Sequence, residues 1–122
     1  ERAAAWVNRR GDDTGRRPGA DGKESAFAAA LCLQALNACP QDRFRAKQAA
    51  LVRQLIRMQQ TDGSWYPSAR LRIPFPGMTE PEHYRYWTFN TLGGGSIQLD
   101  QHGRFTTATV LYALLGAAAS FG

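Results

Sequence analysis

At 122 residues the chain holds one domain at most, and an apolar content of 43% excludes a disordered protein. The 15 Lys and Arg against 10 Asp and Glu leave a net charge of +5, but the basic residues are spread along the chain without a nucleic-acid motif. That favours solvated arginine faces over a nucleic-acid partner, and no apolar run has the length of a membrane span.

Glu1 to Asn8 reads as the last turns of a helix, followed by a Gly/Arg/Asp loop over Arg9 to Gly22. A chain that opens on Glu1 is expected to be a fragment, a processed product or a trimmed piece. The first full helix is expected over Lys23–Ala38, capped by Ser25 or Asp21 and stopped by Pro40. It is apolar on nearly all sides, through Phe27, Ala30, Leu31, Leu33 and Leu36, as interior helices are. A second helix is expected over Asp42–Gln60 with Asp42 as N-cap. There Ala46, Ala49, Val52, Leu55 and Ile56 alternate with Arg43, Arg45, Lys47, Arg53 and Arg57, the pattern of an outer helix with one wet face.

The next stretch, Gln59-Gln60-Thr61-Asp62-Gly63-Ser64-Trp65, reads as a helix stop, a tight turn and an aromatic plate turned back onto the helices. Gly63 can take the positive φ of a terminating turn, and Asp62 and Ser64 can bond nearby backbone. Gln59 can reach the turn from the last helical residues, and the Trp65 N–H needs an acceptor if buried.

Trp65 to Gly103 lacks a helical period, and Pro67, Pro74, Pro76 and Pro81 forbid a long helix early on. Leu71-Arg72-Ile73 suits a short extended piece. Tyr84 to Phe89 carries β-type residues, and Gly93-Gly94-Gly95 breaks that run. The last helix is expected over Thr106–Ala119. Its Phe105–Leu114 stretch lies over Phe27–Leu36 at a constant separation, with Phe, Ala, Leu, Ala and Leu recurring, which points to repeated helical hairpins.

Gln59, Gly63 and Trp65 together resemble the QW motif of squalene–hopene cyclases and related terpenoid cyclases, with Leu55 in place upstream and Gln54 where that family prefers an aromatic. The run from Phe105 to Leu115 is similar to inner helices of the same family. The resemblance implies an all-α chain, a partial α/α toroid with a long irregular insert. Residues 1–122 would form a single partial domain, a fragment of or a subunit in a larger barrel. Gln59, Asp62, Gly63 and Trp65 would then be a structural clamp.

The implied function is a segment of a terpene-cyclase-like protein that helps to form an apolar cavity for an isoprenoid. The family's acid is the middle Asp of an Asp-x-Asp-Asp run. Here Gly11-Asp12-Asp13-Thr14 lacks the first Asp, so cyclase chemistry is expected only with further residues or a partner chain. Prenyltransferase-type zinc is not expected either. Cys32, Cys39, His83, His102, Asp62 and Asp100 lack metal-ligand spacing, and no cofactor is called for. Gly93 to Ser96 is no phosphate loop, and Ser96, His102 and Asp100 make no triad on spacing.

Tyr84, Trp87 and Phe89, beside Tyr86, are the candidate substrate-binding residues. Aromatic faces stabilise carbocations, although rings folded down onto the helices would read the same way. Expected partners are an isoprenoid or other apolar ligand and a homo-oligomer or a partner chain completing the barrel. The chain is placed in the cytoplasm with peripheral membrane contact as an option, and Cys32 and Cys39 are read as free thiols. Two rivals stand beside this reading. One is a non-enzymatic helical module that oligomerises through exposed repeat ends. The other is a piece of a carbohydrate-active protein using Glu80, Glu82 or Asp100.

Overall fold

The computed structural model describes Arg2 and residues 24–39, 42–89 and 92–121. The expected helix end before Asn8 (Arg2 itself is helical), the loop to Gly22, the Asp12-Asp13 pair, the alternative cap Asp21 and the Pro40 stop lie outside these residues.

Helix α1 spans Ala26–Asn37. Ser25 is extended, and its Oγ accepts the Ala28 N–H at 3.1 Å, so Ser25 is the cap and the helix starts later than Lys23. Ala26, Ala29, Ala30, Leu33 and Leu36 form its buried face. A single 3-10 turn, Asp42–Phe44, then leads into α2, Arg45–Arg57. Asp42 does not cap this helix; it pairs with Arg45 at 2.9 Å on the surface, a contact worth little to stability. Gln48 Nε2 donates to Asn37 Oδ1 at 3.2 Å, and Arg57 Nη2 meets Glu24 Oε1 at 2.7 Å. The start of α2 thus touches the end of α1 and the end of α2 touches its start, so the two form an antiparallel hairpin. Leu51 and Leu55 of α2 close with Leu33, Leu36, Phe44 and Trp65 into one buried cluster.

Helix α3 spans Arg104–Phe121. It runs parallel to α1, because the contacts advance together along both. The Phe27 and Phe105 ring centroids are 5.7 Å apart, Gln34 Nε2 donates to Thr109 O at 3.3 Å, and Asn37 Nδ2 donates to Ala113 O at 3.0 Å. Ala29, Ala30, Ala113 and Ala117 are buried at or near this seam, where small side chains let helices approach closely.

Between α2 and α3 lie β1, Arg70–Ile73, and β2, Ser96–Leu99, paired antiparallel from Arg70↔Leu99 to Ile73↔Ser96. The expectation of an all-α partial α/α toroid is therefore overturned: the described residues form three helices and a two-stranded sheet. The short extended piece expected at Leu71–Ile73 is β1. Its partner follows Gly93-Gly94-Gly95, which form the turn into β2. A Cβ on Gly94 or Gly95 would stand 2.5 or 2.8 Å from the Phe75 ring, so these glycines let that ring pack on the turn. Thr88 joins the Tyr84–Phe89 stretch to the sheet through a parallel bridge to Ser96. This mixed architecture gives no support to reading the Gln59–Trp65 turn as the QW motif of a toroid. Nor are α1 and α3 buried all round. Leu31, Leu111, Tyr112 and Leu115 are exposed, Tyr112 and Leu115 by about 70%.

Candidate functional site

The site is assembled from the turn after α2. Gly63 takes φ 87°, and Gln59 Nε2 donates to its carbonyl at 2.9 Å. The Ser64 N–H donates to Asp62 Oδ1 at 3.0 Å. The Ser64 hydroxyl and N–H, both donating to the Asp62 carboxylate, hold that carboxyl below its usual value. Trp65 is 1% exposed, and its indole N–H donates to Leu55 O at 2.7 Å. That carbonyl sits in the last turn of α2, where helices run out of internal donors.

From Trp65 the chain is stitched across the N-terminal ends of α1 and α3 by side-chain hydroxyls. The Trp65 N–H donates to Thr107 Oγ1, and the Ser68 and Ala69 N–H groups both donate to Thr106 Oγ1, each at 3.1 Å. Ser68 Oγ in turn accepts the Phe27 N–H at 3.0 Å. Asp100 completes the arrangement by capping α3, with Oδ1 on the Phe105 N–H at 3.1 Å and Oδ2 on the Thr106 N–H at 2.7 Å. The start of β1 and the end of β2 are thereby set against Phe27 and Phe105.

Two grooves result. The first, about 360 Å³, lies where the helix starts meet the β1–β2 pair, and it is lined by Phe27 and Phe105 from the helices and by Ala69, Arg70, Leu71, Gln98, Leu99 and Asp100 from the strands and their flanks. The second, also about 360 Å³, follows the α1/α3 seam. Phe27, Leu31 and Gln34 line it from α1 at one-turn spacing, and Phe105, Ala108, Thr109 and Tyr112 line it from α3. Two of its polar side chains are engaged with backbone: Gln34 donates to Thr109 O, and Thr109 Oγ1 donates to Phe105 O at 2.8 Å. What remains toward the groove is mainly apolar and suits a hydrocarbon chain.

Asp100 is the carboxyl of this region, and its state decides what chemistry it can do. Partial burial pushes its pKa up, but hydrogen bonds from the Thr106 N–H and hydroxyl and from the Phe105 N–H outweigh that and hold it below the usual value. An ionised, capping carboxylate is not a proton donor. Among the described residues no group of three or more His, Cys, Asp and Glu could hold a metal ion. His83 pairs with Glu80 at 3.0 Å on the surface, and Cys32 and Cys39, both half-buried, are not in a disulfide. No described helix is long and apolar enough to cross a membrane.

The aromatic residues expected to bind substrate stand elsewhere. Tyr84 packs edge-on to Trp87 at 5.1 Å and to Phe75 and Tyr86 at 5.8 Å. The Arg72 guanidinium lies 5.4 Å from the Trp87 ring centroid, and that of Arg70 lies 5.9 Å from Phe89. Tyr84 and Trp87 are thus gathered into one cluster, and Phe89 is tied to the first groove through Arg70. None of the three lines either groove. The Trp87 indole N–H is buried without a hydrogen-bond partner among the described residues. Phe27, Leu31, Phe105 and Tyr112, which do line the grooves, are not among the site residues the sequence singles out. The signal for them was the repeat, which aligns Phe27 with Phe105.

No family model matches the chain, and no curated protein matches it. Solved structures do. The type II terpene cyclase MstE from Scytonema, without ligand, superposes with a TM-score of 0.86 at 33% identity, over 96% of this chain and 36% of that one. A variant of the same enzyme in complex with geranylgeranyl dihydroxybenzoate, its substrate, matches with a TM-score of 0.85 at 33% identity over the same shares of the two chains. A protein from Actinoplanes matches with a TM-score of 0.86 at 40% identity, over 94% of this chain and 36% of that one. The chain spans a little over a third of the length of these structures. Over that length it is similar to a type II terpene cyclase.

Proposed function

We propose that this chain supplies one wall of an apolar cavity for an isoprenoid in a terpene-cyclase-like protein. The observation that carries the reading is the pair of apolar grooves meeting at Phe27 and Phe105. They occur in a chain that superposes on an enzyme whose structures hold geranylgeranyl dihydroxybenzoate or merosterolic acid A. The proton-donating acid is left to other residues or a partner chain: Gly11-Asp12-Asp13-Thr14 lacks the first Asp of the family's run, and Asp100 is engaged as a helix cap. A narrower kinship with squalene–hopene cyclases belongs to the same proposal and rests on the likeness of the run from Phe105 to Leu115 to helices of that family.

The test is photo-crosslinking of the purified chain with a benzophenone-tagged geranylgeranyl probe, followed by peptide mass spectrometry. Saturable labelling within residues 27–34 and 105–112, competed by geranylgeraniol, is the expected result. Labelling that does not saturate, or that falls only elsewhere, sinks the reading. The same exposed seam, with Leu111 and Leu115 beside it, also favours a second reading, a helical module that associates through this face. A ligand-free oligomer that shows no labelling would select it.

A further inference from the structure

Phe27 and Phe105 belong to both grooves. Their rings are tilted by 39° at 5.7 Å between centroids, an attractive geometry for an aromatic pair. Leu71 and Leu99 line one lobe and Leu31 and Tyr112 the other, and the ring pair is common to both. Each lobe alone is near the low end of the roughly 300–1,000 Å³ usual for small-molecule sites.

We infer that the Phe27–Phe105 ring pair is a waist that sets how long an isoprenoid chain the grooves accept, and that residue 105 decides the preference. The inference rests on the reading of the grooves as an isoprenoid site. A short chain fits within one lobe; a longer one spans both and must run over the rings. The two rings are held differently. Phe27 is half-buried at the seam, whereas Phe105 is 62% exposed. What fixes residue 105 is its backbone, through the N–H bonded to Asp100, so its side chain can be changed without removing core packing or the helix cap. Removing the Phe105 ring merges the two lobes, and enlarging it narrows the passage.

The experiment measures dissociation constants of geraniol, farnesol and geranylgeraniol for the wild-type chain, Phe105→Ala and Phe105→Trp, with thermal melts as the check on folding. Phe105→Ala is expected to raise the preference for geranylgeraniol over geraniol by about tenfold or more, the scale on which apolar pockets discriminate by size. Phe105→Trp is expected to lower it, with the melting midpoints of both variants close to wild type. Wild-type binding of all three alcohols with the same preference in both variants overturns the waist while leaving the cavity reading intact. No saturable binding of any of the three by wild type overturns both.

Discussion

At the scale of single residues, Gly103 shows how little freedom the site has. Its φ is 66°, and a Cβ there would stand 2.6 Å from the Trp65 carbonyl oxygen, a backbone atom that cannot swing aside. Gly103→Ala combines a strained conformation with a clash. It is expected to cost about 1–3 kcal/mol, seen as a lower urea midpoint with an unchanged slope. An unchanged midpoint would show that the turn before α3 can relax. Asp100 gives a second prediction at this scale. Its carboxyl is held below the ordinary value by the Thr106 and Phe105 donors, against a push upward from partial burial. A group whose folded pKa is depressed stabilises the fold above its unfolded pKa and loses that contribution as pH falls through the folded one. Stability should therefore decline as pH drops below about 4. The decline should be shallower in Asp100→Asn, which cannot offer two anionic oxygens to the start of α3. Parallel pH–stability curves for the two proteins would show that Asp100 contributes nothing to acid unfolding.

At the scale of elements, Trp65 joins helix α2 to everything after it. Its ring fills the cluster of Leu33, Leu51 and Leu55, and its N–H satisfies a terminal carbonyl of α2. Trp65→Ala should cost about 3–5 kcal/mol through the cavity it leaves. Trp65→Phe keeps much of the packing but loses the bond to Leu55 O, and should cost less, by denaturant titration. Equal losses in the two would mean that the hydrogen bond, not the ring volume, holds the turn. The three helices were legible because apolar periodicity and caps are local signals: Ser25 does cap α1, and α3 contains the expected Thr106–Ala119. The sheet was legible only in part. Leu71-Arg72-Ile73 announces an extended piece, but its partner Ser96–Leu99 lies more than twenty residues on and follows three glycines. Nothing local in Ser-Ile-Gln-Leu specifies pairing at that distance. The all-α expectation came from the family resemblance, and with no visible partner for Leu71-Arg72-Ile73 nothing local in the sequence opposed it.

At the scale of the whole molecule, the candidate grooves were half legible. The sequence placed Phe27 and Phe105 at matching points of a repeat, which is the place where the parallel helices α1 and α3 meet. It did not say that these rings would face a groove, since apolar helices give no sign of which side will lack a neighbour. It drew attention instead to Tyr84, Trp87 and Phe89, because aromatic density is visible in a sequence and the neighbours of each ring are not. In the fold two of these rings have an arginine over them and the third, Tyr84, has aromatic edges around it.

The parallel course of α1 and α3 has an electrical consequence. Side by side and pointing the same way, their peptide dipoles add, positive toward the hairpin and negative toward Asn37 and Phe121. Neither helix carries a basic residue in its last turn to neutralise the negative end. A positive charge developing on a chain held along the seam would therefore be disfavoured near the hairpin, beside Arg70, and stabilised toward the far end. The backbone of the wall would polarise the seam lengthwise before any side chain acts.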